Sequence, residues 1–143
     1  MLNKIIFYYY FFVFQIEFIF FSYSSNKLKQ FNANNANKVD TIKADITFDN
    51  GIKLKHISSK QSQKIFESLL LTIKDKHLNL TEEKANDLTA KIYYHLGTLS
   101  KDDIQKMELY KKCIELLPKH SKAKDRLAQI KKREYVSEKF RKT

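Results

Sequence analysis

Apolar positions along this chain follow three patterns. From Ile5 to Phe21 they run almost without a break, interrupted by Gln15 and Glu17. From Ile46 to Lys55 they alternate with polar residues. From Ser58 onward they recur every three or four residues, the period of an amphipathic helix. Ile65, Phe66, Leu69, Leu70 and Ile73 predict a helix over residues 59–78. Thr81 is placed to cap a second, with Ala85, Leu88, Ile92, Leu96 and Leu99 on its inner face. Ser100 with Asp103 forms an acidic variant of the capping box and opens a third, through Ile104, Met107, Tyr110, Ile114 and Leu117. Pro118 stops it. Ser121 is placed to cap a fourth, with Ala123, Leu127 and Ile130 inward, which continues as a charged rod towards Phe140. Short connections make antiparallel neighbours the default, so residues 58–143 are expected to be all-α, built of antiparallel helical hairpins. Leu96, Tyr110 and Ile114 are expected to pack on one another.

The alternating stretch reads differently. Ile46-Thr47-Phe48-Asp49 and Ile52-Lys53-Leu54-Lys55 flank Asn50-Gly51, a dipeptide suited to a type I′ turn. A short β-hairpin over 45–57 is expected before the helices. Two strands alone are marginal in water, so it would have to lean on them.

The N-terminal run carries seven of the 11 Phe and has a length that suits a signal-peptide core. Ser22 and Ser24 supply small residues at −3 and −1 for cleavage after Ser24. The rival is a retained membrane anchor. Residues 5–21 are at the short limit for a span, and Glu17 lies near one end, within reach of the interface. Residues 1–25 are thus a signal peptide or a signal anchor, with membrane contact through 5–21 if they are not cleaved. Residues 26–44 follow as an Asn/Lys-rich segment, with no acid between Phe18 and Val39. An acid-free basic tract behind a signal has the character of a leader that delivers proteins to a plastid. It also reads as a disordered linker. Entry to the secretory route, then a plastid, a membrane or secretion, is the expected range of destinations.

Composition narrows the class. Two Gly and one Pro in 143 residues speak against a loop-rich enzyme or a many-turned sandwich. The net charge of +11 is concentrated at the end of the chain. Residues 119–143 hold ten Lys or Arg against Asp125, Glu134 and Glu138, a net of +7. Such an end favours acidic partners. Cys113 is the one cysteine and cannot form a disulfide within the chain. On its apolar stripe it is expected to act as a small buried hydrophobe.

Gln105 to Pro118 resembles the second helix of a tetratricopeptide repeat, with Tyr110, Cys113 and Pro118 at the aromatic, small and closing positions. Tyr93, Leu96 and Gly97 match the opening of that family's first helix, where Gly lets two helices approach. Leu127-Ala128 falls at the corresponding pair of a following helix. The likeness covers residues 82–131, about one and a half repeats. It departs from the family in a connection that is short, in Ser100 for an aromatic, and in Lys106 for the Ala where helices touch. The resemblance implies protein binding on a face lined by the first helices, without catalysis. Lys91, Tyr94, His95 and Thr98 would be its candidate partner-binding residues. The basic and amide residues of the subset that grips acidic C-termini are not carried over, because Tyr94 and Thr98 stand in those places. So few repeats would also require another helix, self-association or a larger complex.

Catalytic chemistry is not evident. The four His are scattered, Glu82-Glu83 and Asp102-Asp103 suit helix starts, and no glycine-rich phosphate loop occurs. No cofactor and no metal are expected. Asn79-Leu80-Thr81 is a glycosylation sequon. Two classes of function follow. One is a non-enzymatic adaptor for a protein partner. The other is a nucleic-acid or anionic-surface binder using Lys131, Lys132, Arg133, Arg141 and Lys142.

Overall fold

The computed structural model describes residues 2–141, and among them the side chains of 25–138, 140 and 141. The chain over these residues is all-helical, with α1 (Leu2–Leu54), α2 (Ser59–Lys74), α3 (Glu82–Leu99), α4 (Asp103–Leu116) and α5 (Ser121–Arg141), and no strand. It divides into two compact units, Met1–Lys38 and Val39–Thr143. The first is part of α1, with side chains described from Ser25 onward, so the hydrophobic run of the expected signal or anchor at 5–21 lies outside the residues whose side chains are described, as does Lys142. Among the described residues no helix is long and apolar enough to cross a membrane. The second unit holds the end of α1 together with α2–α5.

The expected hairpin over 45–57 is replaced by helix. Asn50-Gly51 sits inside α1, and the reason is tertiary. Helical winding puts Ala44, Phe48, Gly51 and Ile52 on one face, where they meet α2. The Ser62 hydroxyl donates to the Gly51 carbonyl at 2.7 Å, and a Cβ on Gly51 would lie 2.7 Å from the Phe66 ring. Glycine is therefore needed here for close helix approach, and the turn preference of Asn-Gly is overridden. Residues 26–44, read as a linker, also lie within α1. From Val39 onward they belong to the packed unit, with Ala44 buried and Asp40 accepting from the Asn79 backbone N–H and Nδ2, both at 3.0 Å.

The helix ends show how local chemistry chooses its caps. Ser58 accepts from the Gln61 N–H to start α2, which ends at Lys74, short of residue 78, as Lys76 turns left-handed at φ 55°. Thr81 caps α3 through a bond from the Lys84 N–H at 3.3 Å. At α4 the cap is Asp102, not Ser100. Its carboxylate accepts from the Ile104 and Gln105 N–H groups at 3.2 Å, and negative charge is favoured at a helix start. Ser100 instead ends α3 and accepts from the Asp102 N–H. At α5 the Nδ1 of His120 accepts from the Ala123 N–H at 3.1 Å, the cap role expected of Ser121.

α3 is buried on two sides. Leu88, Ile92 and Leu96 join Ala44, Phe66 and Leu69 in one apolar cluster, with Phe48, Ile52, Leu70 and Ile73 packed against it. Ala90 on the opposite side joins Tyr110, Cys113, Ala123 and Ile130 in a second, flanked by Tyr93, Tyr94, Met107, Ile114 and Leu127. Leu96 therefore packs in a different cluster from Tyr110 and Ile114, contrary to expectation. Ile104, expected to face inward, is 64% exposed. Each fully buried large side chain contributes about 1.5–3 kcal/mol, so the two clusters are the main source of stability. Two polar ties add to the first: Lys84 to Asp45 at 2.8 Å and Asn79 to Asp40.

Candidate functional site

Gly97 shapes the second cluster as Gly51 shapes the first. A Cβ at Gly97 would lie 2.7 Å from the Tyr110 ring, so α4 reaches α3 because glycine is there. Tyr94, one turn before Thr98, lies beside Tyr110 with ring centroids 5.9 Å apart and beside His120 at 4.7 Å. α5 then presents Arg126, Gln129, Ile130 and Arg133, spaced to share one face. The result is a cleft of about 450 Å³ lined by Lys55, Tyr94, Thr98, Lys106, Tyr110, Arg126, Gln129, Ile130 and Arg133.

The cleft is basic. Lys106 pairs with Asp103 at 2.7 Å, and Arg133 approaches the same carboxylate at 3.5 Å. The bond from Lys106 and the charge of Arg133 hold the Asp103 carboxyl below its usual range. Among the described residues Lys55 and Arg126 pair with no carboxylate. Burial, then the Arg126 charge, lowers the Lys55 pKa from its ordinary value. Two like charges thus face one recess without a counter-charge. The Thr98 hydroxyl donates to the His95 carbonyl at 2.7 Å, and its oxygen remains able to accept.

His95 lies behind this wall rather than on it. Its ring stacks on Phe66 at 5.5 Å and meets Phe48 at 5.6 Å and Tyr94 at 5.1 Å. Its Nδ1 is buried without a hydrogen-bond partner. Burial, then the charges of Lys55, His120 and Lys122, lowers its pKa to about 4. It is a partly buried aromatic spacer, neutral at physiological pH. Lys91 is tied to Asp87 at 2.7 Å along α3 and is not among the cleft residues.

Of the expected residues, Tyr94, Thr98 and Arg133 are therefore brought together, although they were assigned to different functions. Lys131, Lys132 and Arg141 are exposed. Lys132 lines a shallower recess of about 620 Å³ with Arg126, Gln129, Arg133, Val136 and Ser137. Lys55, Lys106, Arg126 and Gln129 belong to the cleft but were not foreseen. Lys106 was visible as the oddity where the resemblance expects Ala, and the spacing of Arg126, Gln129 and Arg133 was open to reading as a face. Lys55 carries no such signal, because the alternation around Asn50-Gly51 points to a hairpin and not to a helix end.

The Cys113 thiol is buried, and its pKa is raised to about 11, which keeps it protonated. Among the described residues no three His, Cys, Asp or Glu side chains gather as a metal site would. No protein-family model, curated protein or solved structure matches this chain.

Proposed function

We propose that this chain is a non-enzymatic adaptor that seats a segment of a partner protein in the cleft between Tyr94 and Thr98 of α3 and Arg126 and Arg133 of α5. The observation that carries this reading is the lining of the cleft itself. In a repeat-like scheme residues 39–54 with α2 make one antiparallel hairpin, α3 with α4 make a second, and α5 closes the array. Lys55, Tyr94, Thr98, Arg126 and Arg133 then come from the first helices or their ends, the face on which such arrays bind proteins. Recurrence supports the scheme. Gly51 lies under Phe66, and Gly97 lies under Tyr110. Ser62 and Lys106 stand one turn before those aromatics, and Leu69 and Cys113 stand one turn after them. A tetratricopeptide-like origin accounts for the pattern with one unit more than the sequence resemblance covers. The hydrophobic run at 5–21 and the acid-free tract behind it favour a secretory-route or plastid compartment for this adaptor.

The alternative, binding of nucleic acid or an anionic surface through α5, is favoured by the exposure of Lys131, Lys132 and Arg141. It predicts affinity that falls steeply with salt. A photo-cross-linking residue placed at 98, and in a second variant at 131, separates the two in cells. Discrete protein adducts at 98, resistant to nuclease and lost on Tyr94→Ala, are expected. Adducts confined to 131, or removed by nuclease, would overturn the adaptor reading.

A further inference from the structure

We propose that the cleft selects a phosphate monoester on the partner segment, a phosphoserine or phosphothreonine, an inference that rests on the adaptor reading. Four cations line it, Lys55, Lys106, Arg126 and Arg133, and Asp103 is the carboxylate paired with two of them. Three positive charges remain in excess. A single carboxylate from the partner would leave most of that excess in place, whereas a phosphate monoester carries about −1.5 to −2 and three acceptor oxygens. The donors match. Arg126 and Arg133 offer two planar forks from one face of α5, the geometry that grips phosphate in two-point fashion. Lys55 arrives from beyond the end of α1 as a compact charge, and Gln129 and Tyr94 add neutral donors. Lys55 and Arg126 come from distant parts of the sequence and face each other without a counter-ion among the described residues, so a bound dianion would relieve their repulsion.

The same observations weigh against a nucleic-acid strand in this cleft. Single strands are held by aromatic faces on which bases stack. Tyr94 already meets His95, Tyr110 and His120, and Tyr110 is itself buried. Tyr110 thus offers no open ring, and Tyr94, partly exposed, already shares its faces with three neighbouring rings.

The test uses the purified full-length chain and three immobilised peptide libraries of random sequence, with a fixed central phosphoserine, serine or glutamate. Wild type is expected to retain the phosphoserine library about tenfold more than either of the others, the scale of one or two charge-assisted bonds. The Lys55→Gln, Arg126→Gln double variant should lose that preference. Lys131→Gln, Arg141→Gln, which removes the same charge outside the cleft, should keep it. Thermal melting of both variants within about 2 °C of wild type would show that the fold is intact. Equal retention of all three libraries would overturn the proposal. So would equal loss in both variants, or displacement of the phosphoserine library by single-stranded RNA. If selection fails while protein adducts at position 98 persist, the phosphate inference falls and the adaptor stands. If selection by Lys55 and Arg126 persists without any protein adduct at 98, the phosphate site stands and the adaptor falls.

Discussion

Phe66 and Tyr110 each lie across a glycine of the preceding helix, with a would-be Cβ at 2.7 Å in both cases. Around Phe66 the crossing is sealed. Ser62, one turn earlier, is wholly buried and ties its hydroxyl to the Gly51 carbonyl, while Phe48 and His95 cover the ring. Around Tyr110 the crossing opens. Lys106 holds the position that Ser62 holds in the first, and a lysine cannot be shut inside a helix contact without a large desolvation cost. It turns outward to Asp103, and the space beside Tyr110 becomes part of the cleft. One packing device thus serves as a closed core in one place and as the wall of a site in the other, and a single residue decides which.

Substitutions test that contrast in order of expected effect. Phe66→Ala should cost about 3–5 kcal/mol in denaturant unfolding, because its enclosed surroundings cannot collapse into the void. A loss near 1 kcal/mol would mean the first crossing is not sealed. Gly51→Leu and Gly97→Leu should both destabilise by overpacking, about 1–3 kcal/mol, with Gly51 the worse because the Gly97 neighbourhood borders open space. Equal midpoints for the two variants would erase the distinction.

Acid titration addresses the ring between Phe48 and Phe66. His95 takes a proton near 6.5 in the unfolded chain but near 4 when folded. Between these values the unfolded state binds the proton that the folded state resists. Stability should therefore be complete above pH 6.5 and decline as pH falls towards 4, by on the order of 1–2 kcal/mol after allowance for partial solvent exposure. His95→Phe should flatten the melting temperature over that window, and an unchanged slope would remove the aromatic-spacer role. Ser62→Ala leaves the Gly51 carbonyl without its side-chain donor and should cost about 1 kcal/mol. The smallest effect is expected for Lys91→Ala, within about 0.5 kcal/mol, since its pair with Asp87 is a partly exposed link along one helix.

Helix identity was legible where apolar spacing and a cap agreed. Thr81 with Leu88, Ile92 and Leu96 describes α3 as it stands, and Gly97 was recognisable as a point of close approach. Elsewhere local signals competed. Asn50-Gly51 carries turn chemistry, yet the partner that holds it in helix, Phe66, is distant in sequence. Ser100 and Asp102 are both competent caps, and the carboxylate wins through the helix dipole. His120 capping α5 through a ring nitrogen follows no common sequence pattern. The second buried face of α3 was hidden because Ala90 and Gly97 carry too little apolar bulk to mark a stripe. The cleft was legible in Tyr94, Thr98 and Arg133 singly but not as a set, since its cations come from three separate elements.

The position of α3 between two apolar clusters has a kinetic consequence. Neither cluster can be opened at this helix without stripping one wall from the other. The amides of Leu88 to Leu96 should therefore exchange with solvent only through global unfolding, as one cooperative block. Beyond Ile130, residues 131–138 of α5 contribute exposed side chains and should exchange through local fraying. A ligand held by Arg126 and Arg133 would bridge these two regimes, and slowed exchange along residues 131–138 would register its arrival before any change in the core.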